Sequence, residues 1–258
     1  MKFLIFGLGS MGKRRIRCLK SLNFKDIYGF DFRLDRRTES QENYGIKIFN
    51  DLNKINFEEF DAFIISVPPD KHLDYIELAV KFNKPSFIEA GVITDHTRKA
   101  IEINQNNTFL APSCTLKFHP IIKDIKKILS SGEYGKFTNF TFHSGQYLPD
   151  WHPWENVKDF YVGNRVTGGA REIVPFELTW ITDILGFPKD VKGYFRKTID
   201  LGVNIEDTYS FLLDFGDSLG SIMVDVCARF ATRTLILNLE KAQIRWNWED
   251  GLLKVFEA

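Results

Sequence analysis

Two sets of residues in this chain have types and spacings suited to chemistry. The first is Gly7-Leu8-Gly9-Ser10-Met11-Gly12, followed nineteen positions later by Asp31. A GxGxxG run directly after the apolar stretch Phe3-Leu4-Ile5-Phe6 and at the head of a helix suits a dinucleotide pyrophosphate. Gly7 permits the tight turn, Gly9 admits the phosphates to the backbone, and Gly12 lets the helix pack on the strand. Ser10 and Met11 open that helix, whose free N–H groups and positive dipole end favour an anion. Asp31 ends the second strand, where a carboxylate accepts hydrogen bonds from an adenosine ribose and repels a 2′-phosphate. That favours NAD. Arg33, Arg36 and Arg37 follow at once. They are either a solvated basic turn or phosphate ligands, and they leave NADP open.

The second set can move or hold protons. Oxidising an alcohol needs a base and reducing a carbonyl needs an acid, each with a pKa near neutrality, and histidine is the natural candidate. His152 sits in Asp150-Trp151-His152-Pro153-Trp154, a polar and aromatic loop of the kind that lines a sugar pocket. The competing reading is a loop histidine packed between tryptophans. Ser66, Pro68, Pro69, His72 and Glu89 fall at the carboxyl ends of strands, the rim on which an open α/β sheet binds its ligand. Glu89 there either orients a nicotinamide ribose, serves as a base, or is a strand-end carboxylate satisfied by backbone N–H groups. His72 is either part of the cofactor site or a structural helix-start histidine. His96 and His143 read as structural. Cys18 reads as a helix core residue, and no cysteine has the His and Asp partners of a nucleophile.

The elements that must carry these residues follow from periodicity. Up to residue 115 strand and helix signals alternate. Strands are expected over Asp26–Phe30, Ala62–Val67, Pro85–Ile88 and Thr108–Ala111. Helices are expected over Met11–Leu22, His72–Phe82 and Thr94–Ile103, the last capped by Thr94 or Asp95. Alternation of this kind means parallel βαβ units in a doubly wound sheet. Beyond residue 115 come a helix from Pro120 to Leu129, a second from about Glu172 to Leu185, and six strand-like runs between Phe137 and Trp248. Gly216-Asp217 and Asp250-Gly251 are hairpin turn signals. The fold class is therefore α/β: an N-terminal Rossmann domain over residues 1–116, then an α+β domain with an open, mostly antiparallel sheet over residues 117–258. Phe140 and Phe142 on one strand and Leu235, Leu237 and Leu239 on another make apolar faces. One side of such a sheet is left uncovered, so the chain is expected to self-associate through it.

Composition narrows the partners. The 258 residues carry 34 basic and 34 acidic side chains, a formal net charge of zero that gives no reason to expect nucleic acid or an anionic membrane. The 24 phenylalanines point to well-filled cores. Three scattered cysteines, without metal-ligand spacing, fit a reducing cytoplasm. The first apolar run breaks at Gly7, too soon for an export signal or a membrane span.

With these segments in hand, the chain resembles the Gfo/Idh/MocA oxidoreductases. The resemblance rests on Gly7 to Gly12, Ser66-Val67-Pro68-Pro69 with His72, Lys117-Phe118-His119-Pro120, Gly132-Glu133-Tyr134-Gly135, Tyr147-Leu148-Pro149-Asp150-Trp151, and Gly168-Gly169 leading into the Glu172 helix. It implies NAD(P)-dependent hydride transfer on a sugar or sugar nucleotide and dimers or larger homo-oligomers built through the C-terminal sheet. The Tyr-Leu-Pro-Asp-Trp segment is similar to a subgroup tied to cell-surface polysaccharide synthesis. It places His72 toward the nicotinamide. It makes Lys117 a cationic residue able to bind substrate or a phosphate. Members commonly continue past the sheet, so either a trimmed second domain or a subunit that completes it is expected. Two departures matter. The usual Glu-Lys-Pro is Glu89-Ala90-Gly91 here, and the usual histidine on the Gly-Gly helix is Phe176. Neither Ala90 nor Phe176 can move a proton. That leaves His152, Lys117 and Glu172 as catalytic candidates, with Glu177 read as structural. The alternative is a catalytically silent, nucleotide-binding member that acts as a regulator or assembly partner; a lyase or hydrolase using transient oxidation is a third reading.

Overall fold

The computed structural model describes residues 1–91 and 93–257, and the chain divides into two compact units, Met1–Ser113 and Cys114–Ala258. The sequence reading set this division three residues later.

The first unit is a six-stranded parallel sheet, ordered β3-β2-β1-β4-β5-β6. Its strands are β1 (Lys2–Phe6), β2 (Asp26–Phe30), β3 (Lys47–Phe49), β4 (Ala62–Ile65), β5 (Ser86–Ile88) and β6 (Leu110–Pro112). The helices α1 (Ser10–Ser21), α2 (Leu34–Tyr44), α3 (His72–Lys81) and α4 (Thr94–Ile103) alternate with them. β1 is central because it is apolar on both faces. Phe3 and Ile5 pack with Ile16 and Leu19 of α1, whereas Leu4 and Phe6 pack with Phe63, Tyr75 and Ile76 on the other side. The order runs outward from β1 in one direction and from β4 in the other, so the crevice between them is the switch point where such sheets bind ligands. Two local expectations are corrected. Cys18 is exposed, because the buried stripe of α1 is Gly12, Ile16 and Leu19. Ile93, not Thr94 or Asp95, occupies the N-cap of α4, with no side-chain cap. Asp95 lies inside the first turn, where the helix dipole still favours it.

The second unit is a seven-stranded sheet, ordered β13-β12-β11-β7-β10-β9-β8. Helices α5 (Pro120–Ser131) and α6 (Ile173–Leu185) accompany strands β7 (Phe137–Tyr147), β8 (Asp190–Arg196), β9 (Thr208–Asp214), β10 (Leu219–Asp225), β11 (Cys227–Leu239), β12 (Ala242–Asn247) and β13 (Leu252–Glu257). The pairs are antiparallel except β7 with β10, and both turn signals close hairpins as expected. The apolar alternation on β7 and β11 has one destination. Phe140, Phe142, Leu235, Leu237 and Leu239 are all buried in one core with Ile122, Ile125, Trp180 and Ile181 of the two helices. They therefore cannot form the association surface read from sequence. The opposite face alternates with them and presents Ile236, Thr141, Ser221 and Leu212 in one register row, with Met223 beside His143 two residues along.

Helix α6 is pinned to this sheet by a buried charge. The Glu177 carboxylate accepts hydrogen bonds from Ser144 Oγ on β7 at 3.0 Å, from Trp180 Nε1 at 2.7 Å, and from Arg233 Nη2 on β11 at 2.7 Å. Arg233 in turn lies over the Trp248 ring, 4.9 Å from its centre. Both oxygens have donors, which is what makes a buried carboxylate tolerable. Removing one member of such a pair leaves the other charge stranded. Glu177→Ala is expected to lower unfolding stability by about 3–5 kcal/mol, measured by urea titration, whereas a change under about 1 kcal/mol would mean the pair does not hold the helix.

Candidate functional site

The glycine turn has the shape that its sequence implies. Gly7 takes a left-handed φ of 86°, and a Cβ there would meet the Ser66 carbonyl oxygen at 2.6 Å. A Cβ on Gly12 would overlap the carbonyl oxygen of Gly7. Both glycines are thus required by the fit of β1, α1 and the end of β4. Gly9 is different. A Cβ there would find nothing nearer than the Arg36 guanidinium, at 3.5 Å. Its φ of −69° makes no demand for glycine. Packing alone does not call for glycine at this position. The first turn of α1, from Ser10 and Met11, has no side-chain cap and no acidic residue, so its N–H groups are left for an anion.

Asp31 is buried at the carboxyl end of β2. Its Oδ2 accepts from the Leu8 N–H at 2.8 Å and its Oδ1 from the Arg33 N–H at 2.9 Å. These bonds aim the carboxylate at the turn and leave one lone pair on each oxygen for ribose hydroxyls. The three arginines separate. Arg33 pairs with Asp35. Arg37 donates to the carbonyls of Asp31 and Phe32. Arg36 lies beside the turn, 3.7 Å from Asp31 Oδ2. Sequence reasoning had not singled it out.

Ser66, Pro68 and Pro69 lead from β4 into α3. There His72 is buried, and its Nε2–H donates to the Val67 carbonyl at 2.9 Å. That bond fixes the tautomer, so Nδ1 is the acceptor nitrogen and lies toward Gly91. Burial holds the His72 pKa down to about 4, against the hydrogen bond, which favours the protonated form. Glu89 does not stand free at the end of β5. Arg15 of α1 grips both its oxygens, Nε to Oε1 at 2.6 Å and Nη2 to Oε2 at 2.8 Å. Ser66 Oγ lies 3.4 Å from Oε1. Both oxygens of this carboxylate are thus engaged. Arg15 was missed because nothing in a helix-face arginine announces a partner 74 residues away.

In the second unit each candidate has a partner. Lys117 Nζ is 2.7 Å from Asp183, which also pairs with Lys126. Glu172 accepts from the Tyr161 hydroxyl at 2.7 Å. The His152 ring is stacked between Trp154 and Phe160, at 5.1 and 4.6 Å between centres, and its Nδ1 lies 3.3 Å from Glu155. The stack uses one tryptophan and a phenylalanine, not the two tryptophans of the sequence. Phe176 packs against the core. His143 Nε2 bonds Asp225 at 2.6 Å on the open sheet face.

The depressed His72 pKa has a signed consequence. Unfolded, this histidine takes up a proton near pH 6.5; folded, it does so near pH 4. Stability should therefore fall as pH drops from about 6.5 to about 4, by roughly 3 kcal/mol for this group. His72→Gln should flatten that limb in thermal melts taken across the window. An unchanged slope would show that His72 is not held neutral.

Residues 122–245 match the family model of the GFO/IDH/MocA C-terminal domain. Comparison with curated protein sequences finds no match. Similar solved structures include a probable dehydrogenase from Thermotoga maritima, 20% identical over 96% of this chain and 76% of that one, with a TM-score of 0.81. Levoglucosan dehydrogenase, solved with NADH and L-sorbose, is 16% identical over 99% and 75%, with a TM-score of 0.85. The WlbA dehydrogenase from Bordetella pertussis, solved with NADH and UDP-GlcNAcA, is 14% identical over 100% and 83%, with a TM-score of 0.86. Identities this low speak for the fold and not for a substrate. Residues 122–245 therefore match a GFO/IDH/MocA C-terminal domain, and the Rossmann unit that precedes them gives the chain the fold of these dehydrogenases.

Proposed function

We propose that the protein is an NAD-dependent oxidoreductase acting on a sugar or sugar nucleotide. The observation that carries this is Gly9, a glycine whose Cβ would meet only the end of the Arg36 side chain, between two glycines that packing demands. Gly7, Gly9, Ser10, Met11 and Gly12 would hold the pyrophosphate, and Asp31 the adenosine ribose. Ser66, Pro68, His72 and Glu89 would line the nicotinamide half. When bound, the cofactor supplies a hydride donor or acceptor at its nicotinamide ring. Relatives of this fold solved with NADH, L-sorbose and UDP-GlcNAcA support the substrate class. Use of NADP would rest on Arg36, since Arg33 is paired with Asp35 and Arg37 with backbone carbonyls.

Proton transfer falls to His152, Lys117 or Glu172, because Ala90 and Phe176 carry no titratable group. His152 is first among them: its stack fixes the ring and Glu155 fixes Nδ1, which leaves Nε2 as the working nitrogen. One observation favours the second reading, a silent nucleotide-binding regulator or assembly partner: all three candidates already have partners inside their own unit. We place the protein in the cytoplasm, in cell-surface polysaccharide synthesis, and as a homodimer or larger homo-oligomer. Association would use the open sheet face, where Leu212, Leu219 and Met223 are exposed.

Gly9→Val should abolish NAD and NADH binding in titration calorimetry while the protein stays folded. Retained affinity would remove the dinucleotide site. With a substrate in hand from a screen of sugar nucleotides, His152→Ala should leave NAD affinity intact and lower turnover by about 10²–10⁴. A full-rate variant would pass the role to Lys117 or Glu172, and three full-rate variants would favour the silent reading.

A further inference from the structure

The charges around the carboxyl ends of β4 and β5 add to nothing. Arg15 and Glu89 form a two-point ion pair whose side chains are only 13% and 11% exposed. Their burial makes each the dominant charge for the other. Arg15 is further fixed by its position over the Phe87 ring, 4.6 Å from the centre. His72 is neutral at physiological pH. Asp70 and Lys71, which are exposed, lie 4.0 Å from each other. Where a lysine would add a positive charge, the chain has Ala90.

This balance matters to a ligand that changes charge. The nicotinamide ring is cationic when oxidised and neutral when reduced. Asp31 and the glycine turn assign the adenosine half to β1 and β2, so the nicotinamide half belongs to β4 and β5. A bare Glu89 carboxylate there would favour the oxidised ring. A bare Arg15 would oppose it.

We propose that Arg15 is a positioning residue that cancels the Glu89 charge and thereby sets the relative affinity of the site for the oxidised and reduced nicotinamide cofactor. The proposal rests on the dinucleotide reading above. The pair also ties α1, which carries the phosphate-binding turn, to the end of β5, so a merely structural role would weaken both cofactor forms together. Charge cancellation gives a different signature. Arg15→Gln unmasks the carboxylate and shifts preference toward NAD⁺. Glu89→Gln unmasks the guanidinium and shifts it toward NADH.

The test is the ratio of the NAD⁺ and NADH dissociation constants, taken by calorimetry and by quenching of intrinsic fluorescence, on folded protein verified by circular dichroism. Each single variant should move the ratio by about fivefold, in opposite directions. The double variant Arg15→Gln with Glu89→Gln should return it to within about twofold of the parent, because no net charge remains. Arg15→Lys keeps the charge and should keep the ratio. Should one single variant fail to fold, the other decides by the direction of its shift, and an unshifted ratio there overturns the proposal. Equal losses for NAD⁺ and NADH, or shifts in one direction for both single variants, overturn the proposal. A parent protein that binds neither form overturns the dinucleotide reading itself, and this inference with it.

Discussion

The backbone at Gly12 lies where any side chain would collide with the carbonyl of Gly7, and Gly7 is itself pressed against the carbonyl of Ser66. This contact of three chain segments without side chains brings the start of α1 close to the ends of β1 and β4. Asp31 depends on it, because its carboxylate is aimed by the N–H of Leu8 in the same turn. Arg15 depends on it too, because only a helix seated this closely can reach Glu89 across the sheet. A methyl group at position 12 would disturb all of these at once, at sites that share no side chain.

The two units handle charge differently. In the first, the ionised groups near the crevice are paired one to one, so the region is close to neutral. In the second, a single carboxylate, Glu177, gathers hydroxyl, indole and guanidinium donors in the core. A buried pair of this sort gives little net stability over apolar packing, but it is costly to break and it admits only one placement of α6 on the sheet. Glu172 lies beside that helix and Phe176 on it, so the residue that fixes the helix also bears on where they stand.

Much of the first unit was legible in the sequence because its signals are short in range: an apolar strand, three glycines, and an acidic residue at the next strand's end. The elements that escaped lack such signals. Helix α2 buries only Ser40, so it has no apolar stripe, and β3 is three residues long. Alternation on β7 and β11 showed that two faces exist and could not say which one the helices cover. The ion pairs were opaque for a different reason. Arg15 with Glu89 and Arg233 with Glu177 join positions 74 and 56 residues apart, and charge type alone does not select a partner. The stack on His152 was half legible: Trp154 was in view, but Phe160 enters only when the loop folds back.

The topology of the second sheet also sets an order of events during synthesis. β7 sits at its centre, yet its neighbours β10 and β11 are the third and fourth strands made after it. Phe142 is registered with Ile222 and Leu235, which the ribosome has not yet joined to the chain when β7 emerges. At about 5–20 residues per second, Phe140 and Phe142 wait on the order of 4–16 s for a partner strand. The first unit pairs its last strand at Pro112 and is complete before β7 leaves the exit tunnel. A nascent chain of this protein therefore passes through a stage with a folded N-terminal half and an unpaired aromatic strand behind it, the form most exposed to chaperones and to aggregation.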